Sequence, residues 1–353
     1  MPMRQMLLTE FRQVLRSVRD GSYHYHPREP KPTPWRCYDM AQMNELPQVI
    51  FLAGRLADEA SLGIRAGRGG AHPKGDLARL ILIQQYDGRS NRVSIGLHSI
   101  LRGSLGIPST RNPPSYKALE RAYSDPAVIA ILNEVFFLTQ KPVQASEGRF
   151  AVDGTCFPTT IKANWESAKK RFTEKGGGKK RKVFEKAILA CGTSFKIISA
   201  FAVTSTPYAN DSPYLKPILG QIRELYDHVR LIAADSAFLS RENCESIAEL
   251  GAKPRIMPKG NVTFRAGGAK AWRDMLIEFT HETESWLRDY HTRSIAETVS
   301  STIKRVAPTP LRKRLIVRLA TEILARICVY NIRQLTYLKY THNIPLRYAP
   351  KPN

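Results

Sequence analysis

The sequence predicts an α/β fold in which a mixed sheet flanked by helices follows an all-helical region. Residues 76–140 carry apolar side chains at helical spacing, and short β-rich apolar runs begin after Gly148. Helical and strand patterns then alternate as far as residue 257. A chain of 353 residues with 42% hydrophobic residues can bury one sizeable core and a smaller one. Two or three domains are therefore expected.

The first 74 residues are rich in features that interrupt regular structure. They include a glycine-rich basic patch at residues 63–70 and four clustered prolines, namely Pro27, Pro30, Pro32 and Pro34. Proline and glycine at such density favour irregular backbone between short helices. We therefore predict an N-terminal arm with short helices over residues 1–74.

Residues 75–145 are predicted to be helical throughout. A first helix begins near Asp76 and breaks at Asp87-Gly88, and a second helix follows this glycine turn. A third starts after Pro113-Pro114, and a fourth covers residues 126–138. Both a helix-turn-helix DNA-binding region and a plain helical bundle fit this pattern.

Residues 146–310 are predicted to form one domain built on a sheet. Strands are expected at residues 149–155, 187–191 and 196–204, with a hairpin at Gly192-Thr193. Helix, strand, helix and strand follow at residues 214–226, 229–234, 240–250 and 254–257, and a further helix is expected from about Tyr290 to Val306. This is the element order of the ribonuclease H-like fold, a mixed sheet with metal ligands at its strand ends. Residues 311–353 are predicted to form a C-terminal helix, packed against the sheet, and a tail.

The composition points to a polyanionic partner. Lys and Arg number 54 against 31 for Asp and Glu, so the formal charge is +23 and the pI about 10.0. Such a field suits nucleic acid, because each neutralised phosphate releases counterions. No apolar run approaches the roughly 18 residues of a membrane-spanning helix, and residues 1–10 lack a secretory pattern. We expect no membrane association and a cytoplasmic, nucleoid-associated location.

The five cysteines are odd in number and scattered, with no Cys-x-x-Cys pair. They are expected to be reduced thiols and not part of a disulfide or zinc framework.

Three carboxylates are candidates for a metal site. Asp153 follows the apolar run at residues 150–152, and Asp235 follows the run at residues 231–234. A turn residue and a helix cap are the ordinary alternatives for these two side chains. At about 100° per residue, Glu297 lies on the predicted helix opposite its apolar side chains. Because the ribonuclease H-like element order brings distant carboxylates together at strand ends, we expect the three carboxyl groups to converge.

Other readings of the third carboxylate are open. A solvated charged face is common on amphipathic helices, and four other acidic residues lie nearby, namely Glu278, Glu282, Glu284 and Asp289. Only Glu297 combines the helix with flanking cations, since Tyr290, Arg293 and Lys304 share its predicted face.

The spacing of these four residues resembles the tyrosine-arginine-glutamate-lysine signature of a large group of bacterial and archaeal insertion-sequence DDE transposases. Two, three and six residues separate Tyr290, Arg293, Glu297 and Lys304. The segment Val152-Asp153-Gly154-Thr155 is similar to that family's first strand. Ala234-Asp235-Ser236-Ala237-Phe238 is similar to the family's Ala-Asp-x-x-aromatic pattern after its fourth strand. The resemblance covers about residues 146–340.

The resemblance implies that Asp153, Asp235 and Glu297 are catalytic and bind two Mg²⁺ or Mn²⁺ ions. It implies that Tyr290, Arg293 and Lys304 hold transposon-end DNA, although Tyr290 is equally expected as a structural residue. The activity implied is DNA end cleavage followed by strand transfer. The partners implied are double-stranded DNA, as terminal inverted repeats and target, and a second copy of the chain in the DNA complex.

Two alternatives remain, a ribonuclease H-like nuclease without strand transfer and a transposase-derived DNA-binding protein that no longer cuts. The interval from Asp235 to Glu297 is too short for the large all-β insertion of some relatives. The resemblance therefore does not imply a hairpin-forming cleavage route.

A basic segment joins the first two predicted strands. Residues 162–186 hold ten Lys or Arg and three Glu. A solvated loop is one interpretation, but the position beside the strand that carries Asp153 favours DNA contact. The expected contact residues are Lys169, Lys170, Arg171, Lys179, Lys180, Arg181 and Lys182.

Overall fold

The fold is taken from a computed structural model, which describes residues 3–26, 29, 32–64, 72–105, 107, 112–160, 184–206, 208–307 and 309–346. The elements in chain order are α1 (Met3–Arg19), α2 (Trp35–Met43), α3 (Glu45–Leu62), α4 (Lys74–Asp87), α5 (Asn91–Leu101), α6 (Tyr116–Ala122), α7 (Pro126–Leu138), β1 (Arg149–Pro158), β2 (Phe184–Gly192), β3 (Ile198–Val203), α8 (Leu215–Leu225), β4 (Leu231–Ala234), α9 (Arg241–Ala248), β5 (Lys253–Ile256), α10 (Lys270–His281), α11 (Thr283–Tyr290), α12 (Ser294–Val306) and α13 (Ile316–Thr341). Short 3₁₀ turns cover Ser212–Tyr214, Ser236–Phe238 and His291–Arg293.

The chain divides into two compact units. The sheet unit comprises Met1–Thr33, Val143–Thr155 and Ala187–Ser300, and the helical unit comprises Pro34–Pro142, Cys156–Lys186 and Ser301–Asn353. This division crosses the predicted segments. The first 74 residues are shared between the units, and the C-terminal helix belongs to the helical unit.

The sheet unit contains a five-stranded mixed sheet in the order β3-β2-β1-β4-β5. β1 runs parallel to β4, β4 runs parallel to β5, and β2 is antiparallel to β3. The hairpin predicted at Gly192-Thr193 is the β2–β3 connection. A mixed sheet flanked by helices and accompanied by an all-helical region fits the predicted ribonuclease H-like α/β fold, which is confirmed.

A buried carboxylate fixes the start of β1 against the β2–β3 hairpin. Glu147 is 4% exposed, and its oxygens accept hydrogen bonds from the backbone N–H groups of Gly148, Arg149, Ser194 and Phe195. A buried charge is tolerated when donors satisfy it in this way. At Gly192 an added Cβ would lie 2.4 Å from an oxygen of Glu147, so glycine is required there.

Helix α1 differs from the predicted arm. Leu8, Phe11 and Leu15 follow helical spacing, and Phe11 and Leu15 are buried in the core of the sheet unit. The Phe11 ring meets Phe279 of α10 edge-on at 5.7 Å between centroids. The local pattern was that of an amphipathic helix, and its apolar face is covered by α10.

The C-terminal helix α13 packs in the helical unit against α2, α3, α4 and α7. Its expected packing against the sheet is therefore wrong. The reason lies in its apolar surface, because buried side chains surround much of the helix and need helices on several sides. None of the described helices is long and apolar enough to cross a membrane.

The predicted glycine turn between two helices is confirmed at Gly88, which follows α4. Gly88 has φ +69°, and its N–H donates to the carbonyl of Gln84 at 2.9 Å. Side chains with a Cβ rarely adopt that conformation, so glycine ends α4 and permits α5 to start at Asn91.

One buried histidine of the helical unit gives a prediction for the pH dependence of stability. His98 on α5 is 1% exposed, and burial lowers its pKa from 6.5 to about 4. In the unfolded chain, His98 is therefore protonated below about pH 6.5, whereas in the folded chain it stays neutral until the pH falls to about 4. As the pH falls from about 6.5 to about 4, we expect His98 to lower the free energy of unfolding by roughly 3 kcal/mol. Above about pH 6.5 it should have no such effect.

The measurement is urea unfolding of the parental chain and of His98→Gln at about pH 7 and about pH 4. The variant is expected to lose less stability on acidification, by roughly the amount given above. Equal losses for the two proteins would show that His98 does not titrate in this way.

Candidate active site

Two parallel strands place Asp153 and Asp235 side by side. In the register of β1 and β4, Val152 lies opposite Ala234, so the next residue along the chain is an aspartate in both cases, Asp153 within β1 and Asp235 directly after β4. Both side chains are half-buried. The carboxyl ends of neighbouring parallel strands share one edge of a sheet, and this is where open α/β sheets place their sites.

Asp235 also serves as a local cap. Its Oδ1 accepts a hydrogen bond from the N–H of Ser236 at 2.6 Å, which begins the 3₁₀ turn Ser236–Phe238. Phe238 at the end of that turn is fully buried. The two sequence interpretations of Asp235 are therefore compatible, because the cap holds the carboxylate at the sheet edge.

Arg293 links the first strand to the helix that carries Glu297. Its Nη1 lies 3.7 Å from Oδ2 of Asp153, and its Nη2 donates to Oε1 of Glu297 at 2.5 Å. Glu297 is in the first turn of α12, where the helix dipole favours negative charge. One guanidinium therefore contacts two of the three candidate carboxylates.

The electrostatics connect all three carboxylates. Burial raises the pKa of Asp153, and repulsion from Glu297 and Asp235 raises it further, although Arg293 and the Gly154 N–H act in the opposite direction. Burial would lower the pKa of Arg293, but its hydrogen bond to Glu297 and the nearby negative groups raise it above its ordinary value. The site thus holds crowded negative charge that one guanidinium partly neutralises.

The convergence of the three carboxyl groups stays a prediction. In the part of the chain that the structure describes, no three His, Cys, Asp or Glu side chains are arranged to hold a metal ion. The ion pairs of Arg293 give the physical reason, because its guanidinium occupies the position of a cation between Asp153 and Glu297.

Tyr290 requires a correction. The predicted continuous helix from about Tyr290 is wrong, because Tyr290 ends α11 and the 3₁₀ turn His291–Arg293 separates it from α12. Its ring is 8% exposed and stacks on Trp286 at 5.3 Å between centroids. Burial raises the pKa of Tyr290, while the charge of Arg293 and a hydrogen bond to it lower it. This environment favours the structural role of the ring, with its hydroxyl directed at Arg293.

The remaining predicted DNA contacts are placed only in part. Lys304 is exposed in the last turn of α12, and it lies two helical turns after Glu297 on the same helix. The seven cations predicted from the basic segment lie outside the described residues, namely Lys169, Lys170, Arg171, Lys179, Lys180, Arg181 and Lys182.

Sequence reasoning missed a network of charges in the same unit. Arg255 on β5 is 4% exposed, and its guanidinium lies 2.7 Å from Glu278 and 3.4 Å from Asp289. Asp289 also pairs with Arg149 at the start of β1. These contacts attach α10 and α11 to the sheet. They also pair Glu278 and Asp289, which are two of the four alternative candidates for the third carboxylate.

Glu284, another alternative candidate for the third carboxylate, pairs with Arg288 at 2.6 Å. Glu297 is the acidic residue among these candidates that contacts Arg293.

Two comparisons with known proteins bear on the family of this chain. A comparison with curated proteins gave no match. The transposase DDE domain family matches residues 144–332, which is more than half of the chain and includes β1 to β5, Asp153, Asp235 and Glu297. The chain belongs to the transposase DDE domain family.

Proposed function

We propose that this protein is an insertion-sequence transposase of the tyrosine-arginine-glutamate-lysine group. It cleaves DNA at the ends of its element and joins the ends to target DNA. The observation that carries the proposal is the register that pairs Val152 with Ala234, since it puts Asp153 beside Asp235 at one sheet edge. The contacts of Arg293 with Asp153 and Glu297 extend that pair to a trio.

The donor chemistry of Asp153, Asp235 and Glu297 suits two Mg²⁺ or Mn²⁺ ions. All three side chains are carboxylates, which are the hard oxygen donors that these ions take. The raised pKa of Asp153, caused by burial and by the charges of Glu297 and Asp235, is the mark of a site that a cation would stabilise. When bound, two such ions activate a water or a DNA 3′-hydroxyl and stabilise the leaving oxygen of a phosphodiester.

Each side chain has a distinct part in this proposal. Asp153, Asp235 and Glu297 hold the ions. Arg293 orients Asp153 and Glu297 and offers a planar set of donors to a phosphate, while the exposed Lys304 contributes a point charge to the DNA backbone. Tyr290 positions Arg293 from its stacked ring. The seven cations of the basic segment contact DNA, and two copies of the chain bridge two transposon ends.

Arg293→Lys tests whether the guanidinium of Arg293 must contact Asp153 and Glu297 at the same time. Lysine keeps the charge but carries one ammonium, so it cannot contact Asp153 and Glu297 with two parallel donors. We expect end cleavage to slow about ten- to a hundredfold, with little change in the urea midpoint of unfolding. Arg288→Lys is the matched control, because Arg288 pairs with Glu284 on α11 and contacts neither Asp153 nor Glu297. Equal cleavage rates for the two variants would remove Arg293 from the site.

A cleavage and joining assay separates this function from its alternatives. Labelled DNA that carries the element's own inverted repeats is incubated with the protein and Mg²⁺ or Mn²⁺, and the products are resolved by size. Cleaved ends joined to target are the expected result. Cleavage without joining would indicate a ribonuclease H-like nuclease, and binding alone would indicate a transposase-derived DNA-binding protein.

A further inference from the structure

The helical unit carries an open groove that is lined almost entirely by charged and polar side chains. It lies between the start of α5, the start of α6 and the segment before α13, and its volume is about 800 Å³. Its lining includes one carboxylate, Glu120, and six cations, namely Arg92, Lys117, Arg121, Arg312, Lys313 and Arg314. Small-molecule sites are mostly enclosed, so this open groove with its many cations suits a different kind of ligand.

The floor of the groove is formed by side chains that bind one another. Lys313 is 4% exposed, and its Nζ donates to Glu120 at 2.6 Å and to Asn91 at 2.9 Å. The same ammonium lies 3.9 Å from the centre of the Tyr123 ring. Arg318 donates to the other oxygen of Glu120 at 2.9 Å. Among the described residues of the lining, Glu120 is the only carboxylate, and two cations already neutralise it.

The rim of the groove presents exposed cations. Arg92, Lys117, Arg121 and Arg314 are all exposed, and none has an ion pair among the described residues. The guanidinium of Arg92 lies over the Tyr116 ring at 5.0 Å, which orients it at the mouth of the groove. Several cations along one open surface match a ligand with regularly repeated negative charges.

We propose that this groove binds the phosphodiester backbone of duplex DNA, as a second contact site outside the catalytic trio. Four exposed cations suit the repeated phosphates of one strand, and the three arginines can donate two hydrogen bonds to a phosphate. Contacts of this kind position DNA without reading its sequence. The site rests on the proposed function, since its ligand is the DNA on which the active site acts.

The test compares two double variants that lose the same charge. Arg121→Ala with Arg314→Ala removes two groove cations, and Arg36→Ala with Lys141→Ala removes two exposed cations of the helical unit outside the groove. Binding of a labelled random-sequence duplex is titrated at several salt concentrations between about 50 and about 200 mM. We expect the groove variant to bind about tenfold more weakly at low salt, with a salt slope shallower by up to about two.

The control variant is expected to keep a steeper slope than the groove variant, and urea unfolding shows whether each variant is folded. Because all four side chains are exposed, folding is expected to persist. Arg121→Glu is a second groove variant, and its charge reversal should weaken binding at least as much.

The outcomes distinguish this site from the active site. Equal slopes for the groove and control variants, in a protein that still cleaves and joins transposon ends, would overturn the groove and leave the proposed function intact. A parental chain that neither binds nor cuts DNA would overturn both. Competition by polyglutamate as effective as that by duplex DNA of equal charge would show that the groove takes acidic chains in general, and would overturn the assignment to DNA.

Discussion

Glu297→Gln is expected to abolish end cleavage and strand transfer while folding and end binding persist. Glutamine keeps the size and helix propensity of the side chain at the first turn of α12. It removes the negative charge that a divalent ion requires, and it replaces the ion pair with Arg293 by a neutral hydrogen bond. Since nucleophile activation and leaving-group stabilisation both depend on the ions, the rate should fall by about a thousandfold or more.

The measurement is the initial rate of cleavage of labelled end DNA in Mg²⁺, with end binding followed separately by anisotropy. Glu282→Gln and Glu284→Gln are the controls, since they remove the same charge nearby and Glu284 pairs with Arg288 instead of Arg293. A Glu297 variant that cut at the parental rate while either control was inactive would assign the third carboxylate elsewhere.

Glu322→Gln is expected to cause the largest loss of stability in the helical unit. Glu322 is 1% exposed, and its carboxylate accepts hydrogen bonds from the guanidinium of Arg326 and from the N–H groups of Arg312 and Lys313. Arg326 is 4% exposed and donates to the carbonyls of Thr309 and Pro310. The pair therefore holds the segment that precedes α13.

A neutral amide in place of this carboxylate leaves the charge of Arg326 buried without compensation. Breaking a buried pair in this way costs about 3 to 5 kcal/mol. Urea unfolding monitored by circular dichroism gives the change. The matched comparison is Glu322→Gln combined with Arg326→Met, which removes the uncompensated charge and should recover part of the loss. If the loss of unfolding free energy in the double variant equals the sum of the losses in Glu322→Gln and Arg326→Met alone, the two residues act independently.

Local patterns were enough to predict the sheet, and they also led to two of the three carboxylates that we propose as metal ligands. An apolar run followed by an aspartate led to both predictions, since Asp235 directly follows β4 and Asp153 follows three buried residues within β1. The four-residue signature then singled out Glu297 from four rival acidic residues. The contacts that tie Glu297 to Asp153 through Arg293 agree with that choice.

The break after Tyr290 was not predictable from periodicity. No glycine or proline lies between Tyr290 and Ser294, so the helical pattern continues through the 3₁₀ turn. The local signals are two hydroxyls, because Thr292 donates to the carbonyl of Asp289 at 2.6 Å and Ser294 donates to that of His291 at 2.9 Å. Such side-chain bonds compete with helical backbone geometry but are too common to predict a break alone.

Long-range contacts account for the other differences. The apolar spacing of α1 was visible, but its partner Phe279 is far away in the chain. The pairing of Arg255 with Asp289 likewise joins β5 to α11. The C-terminal helix was assigned to the wrong partner because an apolar surface predicts burial without saying against which element.

A strand-transfer assay with precleaved ends shows whether Asp153, Asp235 and Glu297 form a metal-dependent site for joining DNA strands. A labelled end with a free 3′-hydroxyl is incubated with supercoiled target, the parental protein and Mg²⁺, and a 2′,3′-dideoxy end serves as the matched substrate. We expect joined product from the 3′-hydroxyl end alone, its loss on chelation by EDTA, and its loss in Glu297→Gln. If joined product forms in EDTA, the reaction does not depend on a divalent ion; if a parental protein that binds and cleaves these ends forms none, the protein does not carry out strand transfer.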